Sequence, residues 1–217
     1  MNKPITTLLF DFDGTLLDTN ELIIQTFLSV LGRRYPGRFI REDALHFIGP
    51  SLKQTFEAID PEHVEELIEE YRSLNKTLHD ELVSEYDGVP ETLRLLKSRG
   101  LKMAIVSTKR RETILHGLNL MGIPDIFDVI VGLDQVTHPK PDPEPLMLAL
   151  ELLASTPEEA LMIGDNSHDI DGGKNAGVRT AGVAWAAKGE AFLASLEPDF
   201  MLQHISDLLD LTKEAVQ

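Results

Sequence analysis

With 217 residues, 42% hydrophobic and 26% charged, the chain has the make-up of an ordinary globular protein. That length accommodates one domain carrying a large insertion, or two modest domains. Acidic residues number 36 against 20 basic ones, a formal net charge of −16. Such a balance argues against nucleic acid or an anionic membrane surface as partner. It also means that a phosphorylated substrate would need a bound cation or a few local lysines. Without cysteine there is no disulfide framework, thiolate zinc site or cysteine nucleophile. No apolar run reaches transmembrane length, and no basic segment precedes a signal-type apolar core, so a cytoplasmic protein is expected.

The apolar run from Ile5 to Phe10 predicts a buried strand, which ends in Asp11-Phe12-Asp13 before Gly14 and Thr15 turn the chain. The carboxyl end of a strand in an open α/β sheet is where ligands bind. Two carboxylates this close repel one another, so a hard divalent cation between them is expected. A helix–loop–helix calcium site does not fit, because its sixth position would be Leu16 rather than Gly and its twelfth Leu22 rather than Glu. Asp18 reads as a turn former or helix cap.

Residues 19 to about 84 read as all-helical. Apolar positions 23, 24, 27, 28 and 31 predict an amphipathic helix stopped at Tyr35-Pro36-Gly37, and short helices follow over 42–47 and 52–59. Asp60-Pro61 has the form of an N-cap and first helical residue, opening a longer helix through Leu82. From Asp87 onward strands and helices alternate: strands at 101–106, 128–131, 160–163, 179–184 and near 200–202, with helices between them. Alternation of this kind implies a parallel sheet with right-handed crossovers. The expected architecture is therefore α/β: a Rossmann-like parallel sheet with helices on both faces, formed by 1–18 and 85–217. An α-helical cap domain, 19–84, is inserted after the first strand.

Four features fall at strand ends or in the loop beside one: Asp11/Asp13, Ser107, Lys140 and Asp165/Asp169. Singly, each has a plainer reading. Ser107 could cap a helix, Lys140 could be solvated, and Asp165 to Asp169 could be a helix cap with an exposed acid. His138 and His168 read as ordinary loop residues. Together the four suit phosphoryl chemistry: hydroxyl and ammonium groups for phosphoryl oxygens, carboxylates for Mg²⁺, and an aspartate able to accept a phosphoryl group.

The series Asp11-x-Asp13-Gly14-Thr15, Ser107, Lys140-Pro141 and Gly164-Asp165-x-x-x-Asp169 resembles the four motifs of the haloacid-dehalogenase (HAD) superfamily, and the helical insert is similar to its C1-type cap. The resemblance implies Asp11 as nucleophile and Asp13 as general acid/base. It implies Mg²⁺ held by the Asp11 carboxylate, the Asp13 carbonyl and Asp165, with Asp169 closing the shell directly or through water. Ser107 would bind a phosphoryl oxygen, Lys140 would stabilise the transferring group, and Thr15 and Thr108 would line the substrate site. Thr108 departs from the asparagine common there. Asp13 implies phosphoryl transfer, since dehalogenases of the superfamily usually lack a second acid.

Within the insert, Gly49 and Lys53 are the candidates for substrate contact, and Lys109-Arg110-Arg111 places cations where an anion is expected. Over its whole length the chain is similar to bacterial pyrophosphatases of the superfamily. That implies pyrophosphate as the small phosphorylated substrate, and a supporting role in carbon-catabolite control through removal of pyrophosphate formed by phosphorolysis of a serine-phosphorylated phosphocarrier protein. A phosphoglycolate-phosphatase-like phosphomonoesterase shares every core motif. A sugar-phosphate mutase, which uses the same aspartyl-phosphate, ranks below it, and the Asp11-x-Asp13-Gly14-Thr15 arrangement, the insert and the length disfavour a non-enzymatic phospho-acceptor module. Oligomeric state is not encoded in these motifs; a monomer is compatible with them.

Overall fold

The computed structural model describes residues 3–213. The chain divides into two compact units, Met1–Leu17 with Glu85–Gln217, and Asp18–Ser84. The first unit is built on a six-stranded parallel sheet. Its strands are β1 (Thr7–Phe10), β4 (Lys102–Val106), β5 (Val129–Val131), β6 (Ala160–Gly164), β7 (Arg179–Val183) and β8 (Phe200–Leu202). Their order across the sheet is β5-β4-β1-β6-β7-β8. The remaining two strands, β2 (Leu17–Asp18) and β3 (Ser84–Glu85), pair with each other where the chain leaves and re-enters the first unit.

Burial on both faces explains why β1, β4 and β6 read as continuous apolar runs rather than alternating ones. Every residue of β1 and β6 is buried, Thr7 included. Between the strands lie α5 (Val89–Ser98), α6 (Arg111–Leu120), α7 (Glu144–Leu152), α8 (Ser167–Asn175) and α9 (Glu190–Ser195), with α10 (Leu208–Leu211) last. On one face Leu146, Ala149 and Leu150 of α7 pack with Leu9, Ala104, Val106 and Met162 of the sheet.

The expected α/β sheet is thus present, with its central strand where the sequence puts it. The order runs outward from β1 in both directions, through β4 on one side and β6 on the other. That is the strand reversal at which open sheets form ligand crevices. Register aligns the strand ends: Phe10 lies level with Ile105 and Ile163. Asp11, Ser107 and Asp165 therefore emerge at nearly the same height.

The second unit is helical: α1 (Asn20–Arg34), α2 (Arg41–His46), α3 (Leu52–Ile59) and α4 (Val64–Leu82). Phe27 is its hub, with ring centroids of Tyr71, Phe47 and Phe56 at 4.6, 5.1 and 5.5 Å. Leu31, Leu67 and Ile68 complete the core. One expected start is displaced. α4 begins at Val64, not at Asp60-Pro61, because Asp60 is occupied elsewhere. It ends α3 and accepts from the Tyr35 hydroxyl, lies 3.0 Å from His63 Nδ1, and has Arg34 at 3.7 Å. A carboxylate held by three side chains gains more than it would from one backbone N–H.

Removing the hub should be costly. Phe27→Ala is expected to destabilise the helical unit by ~3–5 kcal/mol, the range for a buried Phe truncation. Urea unfolding of the full chain, followed by circular dichroism, checks it.

Candidate active site

At the C-terminal end of the sheet the backbone is pinned before any side chain acts. Asp11 N donates to the Ile163 carbonyl at 2.9 Å, and Ser107 N to the Val131 carbonyl at 3.0 Å. Gly14 takes a positive φ of 73°, and a Cβ there would lie 2.3 Å from Asp165 Oδ2. Only glycine lets the turn after β1 pass this close to a carboxylate from β6. Gly164 answers to the same constraint, since its Cβ would meet Asp169 at 2.2 Å.

Three carboxylates converge in this space. Oxygens of Asp11, Asp165 and Asp169 lie within 4.8 Å of one another, and all three residues are buried. Lys140 is their shared counter-charge. Its Nζ donates to Asp169 Oδ1 at 2.6 Å and to the Val106 carbonyl at 2.7 Å, and it stands 3.1 Å from Asp11 Oδ1. That last contact is an ion pair without hydrogen-bond geometry, which leaves Asp11 Oδ1 buried and unsatisfied. The lysine loop is itself tied down: Glu144 accepts from Thr137 N at 2.7 Å and His138 N at 2.8 Å.

The electrostatics follow from burial. Desolvation pushes Asp11 up to about 7; Lys140 opposes this, while Asp169 and Asp13 add to it. Burial, with Asp169 and Asp11 as like charges, holds Asp165 well above the usual carboxylate range. For Lys140 burial alone would favour the neutral amine, but Asp11 and Asp169 outweigh it and push the ammonium upward. An all-oxygen donor set, an unsatisfied buried carboxylate oxygen and excess negative charge fit a hard divalent cation.

Of the sequence candidates, the structure brings Asp11, Asp13, Thr15, Ser107, Lys140, Asp165 and Asp169 to this end of the sheet, with Thr108 in the loop after Ser107. Ser107 is buried, and its Oγ accepts from Lys109 N at 3.2 Å rather than capping a helix. Thr15 Oγ1 is buried without a hydrogen-bond partner among the described residues. Asp169 does more than face a cation, because its Oδ2 accepts from Asn166 N at 3.0 Å and thereby caps α8. Gly49 and Lys53 belong to the helical unit. Gly49 has φ 110°, and Lys53 lies 3.8 Å from Glu57 one helical turn on. His138 stays in a loop, whereas His168 falls in the first turn of α8, not a loop, because Asn166 caps that helix two residues earlier.

Three contributors were not identifiable individually. Lys109 belongs to a basic triplet at the α6 start, and its ammonium meets the Asp13 carboxylate. Asn166 occupies the cap position between the two acids and accepts from Ser167 N at 2.8 Å. Lys188, from the loop after β7, donates to Asn166 Oδ1 at 3.2 Å; nothing in its local sequence marks it.

Residues 8–183 match the family model for haloacid dehalogenase-like hydrolases. The chain belongs to this family. Among curated relatives, Pyrophosphatase PpaX of Bacillus cereus is 56% identical over 207 residues, covering 95% of this chain and 96% of the relative. Pyrophosphatase PpaX of Bacillus velezensis is 54% identical over 211 residues, covering 97% and 98%. A solved haloacid dehalogenase-like protein of Bacteroides fragilis superposes with a TM-score of 0.88 at 33% identity, covering 94% of this chain and 99% of that one.

Three outcomes are expected from this geometry. Asp11 and Asp165 bind protons more tightly folded than unfolded, so stability of the cation-free protein should fall as pH rises from about 4 towards 7. Mg²⁺ should then raise Tm more at about pH 8 than at about pH 5, read by differential scanning calorimetry. Gly164→Ala should cost ~1–3 kcal/mol through overpacking against Asp169, seen as a lower urea midpoint.

Proposed function

We propose that this hydrolase is a Mg²⁺-dependent inorganic pyrophosphatase that works through an aspartyl-phosphate on Asp11. The observation that carries the reading is the 56% identity, over nearly the whole of both chains, to a protein named as a pyrophosphatase. The buried acids and the lysines beside them support it. Pyrophosphate is small and highly charged, so recognition rests on cations rather than on an apolar pocket.

Asp11, Asp165 and the Asp13 carbonyl would hold Mg²⁺, with Asp169 adjacent. Bound there, the ion would neutralise charge on the carboxylates and on the transferred phosphoryl group. In the first half-reaction a carboxylate oxygen of Asp11 attacks one phosphorus. The bond from that phosphorus to the bridging oxygen breaks, and orthophosphate leaves with the electron pair. Asp13 supplies a proton where the departing oxygen needs one. In the second half Asp13 takes a proton from water, whose oxygen attacks the same phosphorus. The bond between that phosphorus and the Asp11 oxygen breaks, releasing the second phosphate and the free carboxylate.

Lys140 keeps Asp11 oriented and offsets charge that builds on the phosphoryl oxygens, and Ser107 and Thr108 offer hydroxyls to those oxygens. Thr15, whose hydroxyl has no hydrogen-bond partner among the described residues, is a further donor. In the same reading residues 19–84 form the cap domain that selects the substrate. The resemblance also implies a cytoplasmic setting and removal of pyrophosphate formed during phosphorolytic dephosphorylation of a phosphocarrier protein.

Phosphate release by purified protein with Mg²⁺, across pyrophosphate, phosphoglycolate and hexose phosphates, tests the reading. Pyrophosphate should give the highest kcat/KM, and Asp11→Asn should lower it by at least about 10³-fold. Pyrophosphate ranking last would sink the substrate assignment. Multiple turnover by Asp11→Asn would sink the nucleophile.

A further inference from the structure

Trp185 has no part in the mechanism above, and it is the only tryptophan in the chain. It follows β7 by two residues, half-buried, and its Nε1 donates to the Thr15 carbonyl at 3.3 Å. The backbone on either side of it is fixed. Ala184 N donates to the Leu202 carbonyl at 2.9 Å, and Ala186 N to the Val183 carbonyl at 3.2 Å. The Tyr86 ring packs against the indole, with centroids 5.9 Å apart and planes at 52°. Tyr86 directly follows β3, so the indole meets both the turn that leads into β2 and the residue that leaves its partner strand.

The turn that Trp185 reaches is the one that carries Asp13. Gly14 N donates to the Leu17 carbonyl at 2.9 Å, and Leu16 N and Leu17 N both donate to the Phe12 carbonyl, at 3.0 and 3.2 Å. None of these bonds engages the Thr15 carbonyl, although Thr15 is fully buried. A buried carbonyl without a donor is costly, and the indole N–H is the donor it finds among the described residues. The Thr15 hydroxyl, also buried, has no hydrogen-bond partner among the described residues, so it does not fix the turn. The indole therefore ties the backbone two positions after Asp13 to a loop on the far side of β6.

We propose that Trp185 is a positioning residue: by holding the Thr15 carbonyl it keeps the turn of residues 13–17 closed, and with it Asp13 and the Thr15 hydroxyl in place beside Asp11. The consequence for catalysis rests on the aspartyl-phosphate reading given above. The hold on the turn does not. Proton transfer by Asp13 depends on its placement, and a misplacement of about 1 Å can cost on the order of 10²-fold. Binding of phosphoryl oxygens falls in that reading to Ser107 and Lys140, which β4 and the proline-rich loop position without Trp185. Loss of the indole bond is thus felt in turnover more than in binding.

The test removes the N–H and keeps the ring. Because Trp185 is the only tryptophan, expression in a tryptophan auxotroph fed benzothienylalanine replaces NH by sulfur at this position alone; Trp185→Phe is the second variant. Amide hydrogen exchange followed by NMR reads the turn without turnover. Gly14, Leu16 and Leu17 should exchange about three- to ten-fold faster in both variants, the size of one net hydrogen bond, while Leu161 and Met162 of β6 stay within about two-fold of wild type. Steady-state kinetics with Mg²⁺ use whichever of pyrophosphate, phosphoglycolate and hexose phosphates wild type turns over fastest. They should show kcat lowered by about five- to thirty-fold with KM within about two-fold. Unchanged exchange at the three turn amides in the sulfur analogue overturns the hold on the turn. Faster exchange with kcat within about two-fold of wild type overturns the positioning role, as does a KM that rises in step with the fall in kcat, the result of general loosening. If wild type turns over none of these substrates, the aspartyl-phosphate reading fails, while the exchange rates still decide whether Trp185 holds the turn.

Discussion

The contact between the Lys140 ammonium and the carboxylates of Asp11 and Asp169 is the constraint that shapes the C-terminal end of the sheet. Three buried acids within a few ångströms of each other are unfavourable on their own, because desolvation and mutual repulsion act in the same direction. One buried lysine reduces that cost without removing it, so burial and the neighbouring acids still push Asp11 up to about 7. The remaining imbalance is what makes the cluster fit a divalent cation.

Lys140 can serve this way only if its loop is stiff. Prolines at 139, 141 and 143 restrict the unfolded chain as well as the folded one, so holding the lysine costs less conformational entropy. Glu144 then gathers two backbone N–H groups of the same loop. On the other side Asp169 binds Lys140 through one oxygen and caps α8 through the other. The position of the lysine and the start of a helix are thus set by one side chain. That economy depends on Gly164, since any side chain there would occupy the space of Asp169.

Much of this was legible before any coordinates, for a physical reason. Asp11, Ser107 and Asp165 each follow an apolar run buried on both faces, and in a parallel sheet such runs end on one side. Finding the strands therefore located the end of the sheet where these side chains converge. What stayed hidden were properties of tertiary distance. Lys109 could be seen to oppose the α6 dipole, but not to reach Asp13. Lys188 follows a strand by five residues in a stretch with no periodicity, so nothing local ties it to Asn166. The start of α4 was misplaced because Asp60-Pro61 satisfies a local rule, whereas Tyr35, His63 and Arg34 claim the carboxylate from elsewhere in the helical unit. The two-residue strands β2 and β3 and the six-residue α9 are too short to show a period at all.

The composition poses a problem that the geometry resolves. A chain with net charge −16 should repel a polyanionic substrate at long range. Screening confines that repulsion to roughly 8 Å at physiological ionic strength, so the last ångströms are governed by local groups. There the acids are buried and partly offset by Lys140, while Lys109 meets Asp13 and Lys188 meets Asn166. Three of the chain's 20 basic residues, Lys109, Lys140 and Lys188, are gathered at this end of the sheet. Net charge accordingly describes how the molecule behaves among other macromolecules. The sign of the field at the end of β1 is set by a handful of side chains, and a divalent cation held among them would turn an acidic cleft into an anion site.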